Sequence, residues 1–166
     1  ILIVQESSLM NNDLKLRQVT PEDKEMLLAW ANDPAVRFQA INQHEITIDE
    51  HSKWIYRHLN DPNTRMWILE YNGIPAGQIR WILNGKEAIL DYSISDAFRG
   101  RGLGKELIKM SIDKVRKIWA GVSLISEVKE ENIASIKAIT TAGFDQINSV
   151  QPGYLRYKFK LQKSLT

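Results

Sequence analysis

Three strand-like segments joined by Asn-Gly pairs constrain the fold of this chain more than any other feature. The segments span residues 66–71, 77–83 and 88–95 and are rich in Ile, Leu, Trp and Tyr, residues that favour strands. Asn72-Gly73 and Asn84-Gly85 lie between them, and Asn-Gly is the pair best suited to a tight hairpin turn. The pattern therefore predicts three consecutive antiparallel strands.

Helical patterns precede these strands. Thr20-Pro21 begins the first predicted helix, because Thr can cap a helix and Pro is accepted at its first position. Asn32-Asp33-Pro34 is expected to end that helix. Thr47 and Glu50 have the spacing of a capping box and begin a second helix. A short strand over residues 14–19 comes before both helices.

A long amphipathic helix and a second group of strands follow. Apolar residues recur at helical spacing over 103–119, and a shorter helix is predicted over 132–142. Strands are expected over 122–128, 144–150 and 154–161. The predicted fold class is therefore α+β, with a mixed sheet between two helical layers in a three-layer α/β/α arrangement.

The composition excludes several classes of protein. The 166 residues include 22 basic and 20 acidic side chains, and because these are interspersed they offer no basic face for nucleic acid. No apolar run approaches the roughly 20 residues that a membrane-spanning helix needs. The chain has no cysteine, which excludes disulfides, thiolate metal sites and a cysteine nucleophile. A reducing compartment is permitted, and we expect a cytoplasmic protein.

The first thirteen residues precede the patterned sequence and form an N-terminal extension. They include polar stretches at 5–8 and 11–13, and the chain does not begin with Met. One interpretation is a trimmed or processed terminus, and the other is a linker from an upstream fused domain. In either case the length favours a single domain over 14–166.

A segment rich in glycine and cationic residues is the most informative for chemistry. It spans residues 98–105, between a predicted strand and the long helix. Glycines let backbone N–H groups converge on an anion, and a helix start adds positive potential. Arg99, Arg101 and Lys105 supply further positive charge. The glycine spacing fits neither a Walker loop nor a dinucleotide-binding motif. A flexible turn before a helix is the alternative, but the context favours a phosphate site.

Two motifs resemble those of the GNAT superfamily of N-acetyltransferases. Arg99-Gly100-Arg101-Gly102-Leu103-Gly104 matches the superfamily signature Gln/Arg-x-x-Gly-x-Gly/Ala. Asn132-Ile133-Ala134-Ser135-Ile136, followed by Ala142-Gly143-Phe144, is similar to its Asn-x-x-Ser/Ala-Ile segment that closes in Gly-Phe. The resemblance covers roughly residues 14–161. It implies the GNAT fold, with a mostly antiparallel sheet and a splay between the fourth and fifth strands.

The resemblance also implies acetyl-CoA as the acetyl donor, with no metal. The glycine-rich loop would hold its pyrophosphate, and the preceding strand would pair with its pantetheine arm. The implied cofactor-binding residues are Ser93, Ile94, Arg99, Gly100, Arg101, Gly102, Leu103, Gly104, Lys105, Asn132 and Ser135.

The catalytic acid departs from the superfamily pattern. Many members carry a Tyr seven residues after the Asn to protonate the departing thiolate, whereas this chain has Ile139. Tyr154 and Ser135 are the alternative hydroxyls, and a water can also serve. A thiolate is already a good leaving group, so the acid can also be dispensable.

Two carboxylates are candidates for the base that deprotonates the attacking amine. Strand alternation places Glu87, Asp91 and Ser93 on one face. A carboxylate in the apolar stretch around Asp91 is unusual enough to suggest a catalytic role, and an ion pair with a neighbouring Arg is the structural alternative.

Two observations bear on the chemical class of the acceptor amine: a set of three polar side chains, and a resemblance to one branch of the GNAT superfamily. Arg37, Gln78 and Arg80 are suited to binding a phosphate or sugar hydroxyls. The segment from Trp30 to Arg37, with Gly77-Gln78-Ile79-Arg80, resembles bacterial transferases that acetylate a nucleotide-linked amino sugar in pseudaminic-type acid synthesis for surface or flagellar glycans. We therefore expect a small-molecule amine as partner, rather than nucleic acid or membrane. A homodimer is a further expectation, since members of the superfamily commonly pair.

Two other functions stay open at this stage. The Trp-x-Asn-Asp-Pro feature also occurs in ribosomal-protein N-terminal acetyltransferases, so a peptide amine is an alternative acceptor. A domain that binds CoA without turnover is the alternative of a different class. The absence of cysteine favours direct attack by the amine in a ternary complex over an acyl-enzyme.

Overall fold

The computed structural model describes residues 13–160 and arranges them in seven strands and five α-helices. The strands are β1 (Leu14–Gln18), β2 (Thr64–Tyr71), β3 (Ile74–Asn84), β4 (Glu87–Ile94), β5 (Ser123–Lys129), β6 (Phe144–Ile147) and β7 (Tyr154–Phe159). The helices are α1 (Lys24–Ala31), α2 (Pro34–Gln39), α3 (Ile48–Leu59), α4 (Leu103–Ile118) and α5 (Ile133–Thr141). The expected extension over 1–13 lies outside the described residues except for its last member.

All seven strands form one sheet in the order β1-β2-β3-β4-β5-β7-β6. Every neighbouring pair is antiparallel except β4 and β5, which are parallel. The two predicted hairpins are present. Asn72 and Gly73 both have positive φ between β2 and β3, as a type I′ turn requires. In the second hairpin Asn84 ends β3, and Gly85 is the turn residue with positive φ.

The sheet is covered on both faces, which confirms the predicted three layers. Strand alternation separates two buried clusters. The larger cluster lies beneath α4 and α5 and includes Trp67, Trp81, Leu107 and Ile139. The smaller one lies on the opposite face and joins Met66 and Ile68 of β2 to Leu27 of α1 and Ile55 of α3. The face beneath α4 and α5 is called the helix-pair face below, and the other is called the acceptor face.

The parallel strands β4 and β5 pair along only part of their length. Their register runs from Glu87 opposite Ser123 to Leu90 opposite Ser126 and then stops. Beyond this point β4 continues beside β3 to Ile94, while β5 continues beside β7 to Lys129. The two strands therefore diverge, and the predicted splay between the fourth and fifth strands is present.

Several element boundaries differ from the sequence prediction. Pro21–Asp23 form a 3₁₀ turn, so α1 begins at Lys24. Asn32-Asp33-Pro34 ends α1 as expected, but a further helix, α2, begins at Pro34 and was not predicted. Asp33 caps it by accepting a hydrogen bond from the Ala35 backbone N–H at 2.9 Å. The strand predicted over 144–150 ends at Ile147.

Candidate active site

A cleft of about 780 Å³ opens where β4 and β5 diverge. Its walls are the diverging halves of these strands, the start of α4, one side of α5 and most of α2. It extends from the helix-pair face through the sheet plane to α2 on the acceptor face. The splay thus provides a slot through the sheet that is wide enough for an extended ligand. Helices α4 and α5 line one end of the slot, and α2 lines the other.

The glycine-rich loop forms the end of the cleft at the start of α4. Gly100 and Gly102 have φ of 76° and 74°, a left-handed backbone that other residues rarely adopt. No acceptor among residues 13–160 bonds the backbone N–H groups of Gly100 to Lys105, and no side chain caps α4. The N–H groups of this loop and first turn, with the helix dipole, are therefore available to an anion.

The cations of the loop differ in their freedom. The Arg99 guanidinium is fixed, because its Nε donates to the Ile94 carbonyl at 3.0 Å and its Nη2 lies 3.4 Å from an Asp33 carboxylate oxygen. Arg101 lies over the Phe98 ring at 5.3 Å. Lys105 lines the cleft and has no side-chain partner within the described part of the chain. Arg99 therefore joins the loop to α2, while Lys105 is available for an anion.

The backbone of β4 presents polar groups to the slot. Ser95 donates to Ala76, so by antiparallel alternation the odd-numbered residues of β4 exchange hydrogen bonds with β3. The amides of Tyr92 and Ile94 consequently face β5, which does not pair with them beyond Leu90. An extended arm containing amides can pair with this exposed edge as an added strand does. The Ser93 backbone is turned to β3, although its side chain lines the cleft.

Helix α5 contributes a hydrogen-bonded wall. Asn132 Oδ1 accepts from the Ser135 backbone N–H at 3.2 Å, and Ser135 Oγ lies 2.9 Å from the Tyr92 hydroxyl. Burial raises the pKa of Tyr92, and the bond to Ser135 only partly opposes this, so the phenol stays neutral. A Cβ on Gly104 would lie 3.2 Å from the Tyr92 ring. Glycine at this position therefore lets α4 approach β4 closely.

The two candidate base carboxylates occupy different surroundings. Asp91 lines the cleft on the acceptor face, is 61% exposed and lies 3.4 Å from Arg80. Glu87 is at the paired end of β4, where its carboxylate accepts from Arg156 at 2.6 Å, and it does not line the cleft. Arg156 also contacts Glu127, a cleft residue that sequence analysis missed. Its position opposite Arg156 follows from the β5–β7 register, which the sequence does not specify.

The hydroxyls of the cleft are also distributed over its two faces. Tyr154 pairs with Lys129 across β5 and β7 and lines the cleft on the acceptor face. Ile139 is buried in the wall of α5. Ser126 of β5 lies on the same face as Ile139, at the point where the splay begins. Sequence analysis missed Ser126, and the only available signal was a Ser inside a predicted buried strand.

The three predicted acceptor-binding side chains are not brought together by the cleft. Arg37 lines it, but its Nε donates to the Ala31 carbonyl at 2.6 Å and its Nη1 donates to the Asn42 carbonyl at 3.0 Å. Gln78 donates to Ser93 Oγ at 3.2 Å. Arg80 lies over the Trp54 ring at 4.9 Å, and its buried Nε has no partner among the described residues. Gln78 and Arg80 do not line the cleft themselves.

Helix α2 spans the acceptor side of the cleft and is fixed at both ends. At its start, Asp33 contacts Arg99 of the glycine-rich loop. At its end, Lys129 Nζ of β5 donates to the carbonyls of Phe38 and Ala40 at 3.1 and 3.2 Å. The helix therefore bridges the two sides of the splay.

Comparisons with known proteins identify the class to which this arrangement belongs. A family model described as the acetyltransferase (GNAT) domain matches residues 13–145. No curated protein matches the sequence significantly. In the part of the chain that the structure describes, no helix is long and apolar enough to cross a membrane.

Solved structures share the fold at low sequence identity. A domain from Methanocaldococcus jannaschii superposes with a TM-score of 0.80 at 22% identity, covering 91% of this chain and all 100% of that one. AAC(6')-Ib in complex with ribostamycin and coenzyme A gives 0.77 at 18%, with 88% and 92% covered. Spermidine N-acetyltransferase from Vibrio cholerae, with CoA and spermine, gives 0.75 at 19%, with 87% and 92% covered.

Proposed function

Because the chain belongs to the GNAT acetyltransferase family, we propose that its cleft transfers the acetyl group of acetyl-CoA directly to the primary amine of a nucleotide-linked amino sugar. The enzyme class, an acetyl-CoA-dependent N-acetyltransferase, follows from the family. The observation that carries the reaction is the slot between β4 and β5, which has loop N–H groups without a partner among residues 13–160 at one end and open strand amides along its wall.

The residues of the cleft suit acetyl-CoA in three successive places. The N–H groups of the glycine-rich loop match a pyrophosphate, and Lys105 supplies a nearby positive charge. The N–H groups of Tyr92 and Ile94 and the Tyr92 carbonyl match the amides of the pantetheine arm, while the Ile94 carbonyl accepts from Arg99. The arm, laid along β4 from Ile94 toward Leu90, carries the thioester to the point where the strands rejoin.

The acceptor face suits the approach of an amine. Asp91 and Glu127 line the cleft from the two sides of the splay, on the acceptor face of the sheet. A carboxylate there can hold an ammonium and receive its proton directly or through water. We assign Asp91 as the proton acceptor, because Glu87 lies outside the cleft and Glu127 accepts a hydrogen bond from Arg156. The freed amine then attacks the thioester carbonyl, the carbon–sulfur bond breaks, and the products are the amide and CoA.

The acceptor assignment rests on the sequence resemblance around Trp30 to Arg37. In the cleft, Arg37 uses Nε and Nη1 for backbone carbonyls. Its Nη2 has no partner among residues 13–160 and is available to a sugar hydroxyl or phosphate. Arg37 belongs to α2, which lines the acceptor side of the slot.

The carboxylates Asp91 and Glu127 favour a second class of acceptor, a small amine with several positive charges. A polycation could pair with these carboxylates, although each already lies beside an arginine, Arg80 and Arg156 respectively. A peptide N-terminus, as in ribosomal-protein acetyltransferases, is the third class to be compared.

Thiol release from acetyl-CoA tests the function and separates the acceptors. The purified protein is incubated with acetyl-CoA and, separately, with nucleotide amino sugars, polyamines, aminoglycosides and peptide amines. Amine-dependent release with the nucleotide amino sugars is the expected result. Preferred release with polyamines or peptides would replace the proposed acceptor. Tight acetyl-CoA binding without release for any amine would support a non-catalytic CoA-binding module.

A further inference from the structure

Ser126 is a largely buried serine whose hydroxyl opens to the closed end of the slot. It is 2% exposed, and it lies opposite Leu90 at the last paired position of β4 and β5. Its neighbours on the same face of β5 are the apolar Leu124 and Val128. Within residues 13–160 its side chain has no hydrogen-bond partner, and it lines the cleft. Among the described residues the fully buried side-chain polar atoms without a partner are Gln39 Oε1 and Arg80 Nε, and Ser126 Oγ is not one of them, so this hydroxyl opens to the cleft.

The other buried serine shows the usual arrangement. Ser111 of α4 accepts from Trp81 Nε1 at 3.0 Å and donates to the Ile108 carbonyl at 2.8 Å. Its hydroxyl is thus fully used in holding α4 to the sheet. Ser126 has no such structural role, so its hydroxyl is free to serve a ligand.

The position of Ser126 matches the reactive end of the donor. Strand rise places Leu90 about 13 Å from Ile94 along β4, which corresponds to an extended arm with two amides. An arm that starts at the glycine-rich loop and follows β4 therefore ends beside Leu90 and Ser126. The sulfur of the thioester lies at that end of the arm.

The remaining hydroxyls of the cleft are less suited to this sulfur. Tyr92 and Ser135 are bonded to each other. Ser93 accepts from Gln78, Tyr154 lies on the acceptor face, and Thr141 is exposed at the C-terminal end of α5. Ile139, in the wall beside Ser126, has no donor.

We propose that Ser126 is a catalytic residue that donates a hydrogen bond to the sulfur of CoA as the thiolate departs. This inference rests on the proposed function. The amine nitrogen bonds to the acetyl carbon, and the carbon–sulfur bond breaks with both electrons passing to sulfur. The surplus protons of the nitrogen leave on the carboxylate side. Ser126 keeps its own proton and stabilises the thiolate, which solvent protonates as CoA dissociates.

The test measures binding of CoA and of desulfo-CoA, which lacks the sulfur, by calorimetry across the pH range in which a thiol ionises. A donor to the thiolate lowers the pKa of the bound thiol, so the preference for CoA should grow with pH. We expect a rise of about tenfold in the wild-type protein, the size of a charge-assisted hydrogen bond. Ser126→Ala should lose this rise, and Ser126→Thr should keep it.

Ser123→Ala is the matched control, because Ser123 starts the same strand but does not line the cleft. It should behave as wild type. With an active amine, Ser126→Ala should also lower kcat about tenfold while leaving the KM for acetyl-CoA unchanged. An identical pH dependence in wild type and Ser126→Ala would overturn the assignment of Ser126. Failure of the wild-type protein to bind desulfo-CoA would instead overturn the proposed function, and this inference with it.

Discussion

Gly102 is required by its backbone conformation rather than by lack of space. Its φ is 74°, and the nearest atom to an added Cβ is the flexible end of Lys105 at 3.6 Å. A side chain at this position would lie beside Lys105, in the loop whose N–H groups have no partner among residues 13–160. Gly121 has nearly the same φ of 78°, has no atom within 4 Å of an added Cβ, and lies outside the cleft. The two glycines therefore separate backbone strain from ligand contact.

Gly102→Val should abolish acetyl-CoA binding, whereas Gly121→Val should leave it unchanged. Both variants should lose about 1–2 kcal/mol of unfolding free energy, because each forces a branched residue into the left-handed region. Urea unfolding measures the stability, and calorimetry measures the affinity. Wild-type affinity in Gly102→Val would refute the role of the loop.

The sequence leaves two interpretations of Asp91 open, a catalytic carboxylate or an ion pair with an arginine, and the structure shows features of both. It lines the cleft, and it lies 3.4 Å from Arg80. Mutation of either residue breaks the ion pair, but only mutation of Asp91 removes the carboxylate. Mutation of each partner therefore separates a catalytic role from a structural one.

Asp91→Asn should lower kcat at least about tenfold without changing acetyl-CoA affinity, since a general base typically contributes about 10²–10⁴-fold. Arg80→Met, which breaks the same ion pair but keeps the carboxylate, should retain most of the turnover. Steady-state kinetics on both variants provides the measurement, with Asp145→Asn, a change in the remote β6–Lys160 ion pair, as control. Equal losses in the first two variants would favour the structural interpretation.

At the scale of elements, the junction between β1 and α1 is held by one ion pair. Both oxygens of Asp23 accept from the Arg17 guanidinium at 2.8 Å, and the Thr20 N–H donates to the same carboxylate at 2.9 Å. The bond to Arg17, more than any other contact, lowers the pKa of Asp23. The Asp23 side chain is 9% exposed and that of Arg17 is 35% exposed, so the carboxylate end of the pair is the end shielded from water.

Stability should therefore fall with acid in a way that depends on Asp23. A carboxyl with a lowered pKa contributes stability above its ordinary pKa of about 3.9 and loses it as the pH falls through the lowered value. Asp23→Asn should cost about 2 kcal/mol near neutral pH, and the difference from wild type should shrink in acid. Denaturant unfolding across pH provides the measurement. Asp49→Asn, which breaks an exposed pair with Lys53, should change little, and a constant Asp23→Asn difference at all pH values would contradict the argument.

Elements with strong periodicity can be predicted from the sequence. Helix α2 is an element that cannot. Hairpins and amphipathic helices are encoded in neighbouring residues, so β2 to β4 and α4 were found. The sequence Asn32-Asp33-Pro34 predicts the end of a helix. Asp-Pro also suits the start of one, because Asp can cap a helix and Pro is accepted in its first turn. The choice depends on Arg99 and Lys129, far along the chain. The glycine-rich loop was likewise found from local residues, whereas Ser126 and Glu127 needed the strand register.

At the scale of the whole molecule, the splay leaves the sheet incomplete. The amides of Tyr92 and Ile94 lack a neighbouring strand, and the slot between the two halves of the sheet has a volume of about 780 Å³. A ligand that fills the slot supplies both the missing hydrogen bonds and the missing contacts. Binding should therefore stabilise the whole fold rather than one loop.

CoA should raise the melting temperature of the protein. At a concentration one hundred times its Kd, a ligand that binds only the native state adds about 2.7 kcal/mol. For a chain of this size that corresponds to a shift of roughly 5–10 °C. Differential scanning calorimetry provides the measurement, and Gly102→Val, without a functional loop, should show no shift. An unchanged wild-type melting temperature at saturating CoA would contradict binding in the slot.

The double attachment of α2 also determines when the site can be completed during synthesis. Asp33 meets Arg99, which is 66 residues further along the chain, and the carbonyl of Phe38 meets Lys129, which is 91 residues further. At the usual 5–20 residues per second, Lys129 leaves the ribosome roughly 5–20 s after α2. During that interval α2 has none of its later partners, and its exposed Phe38 adds to the apolar surface of the nascent chain. The acceptor side of the cleft is therefore assembled late, after most of the sheet has been made.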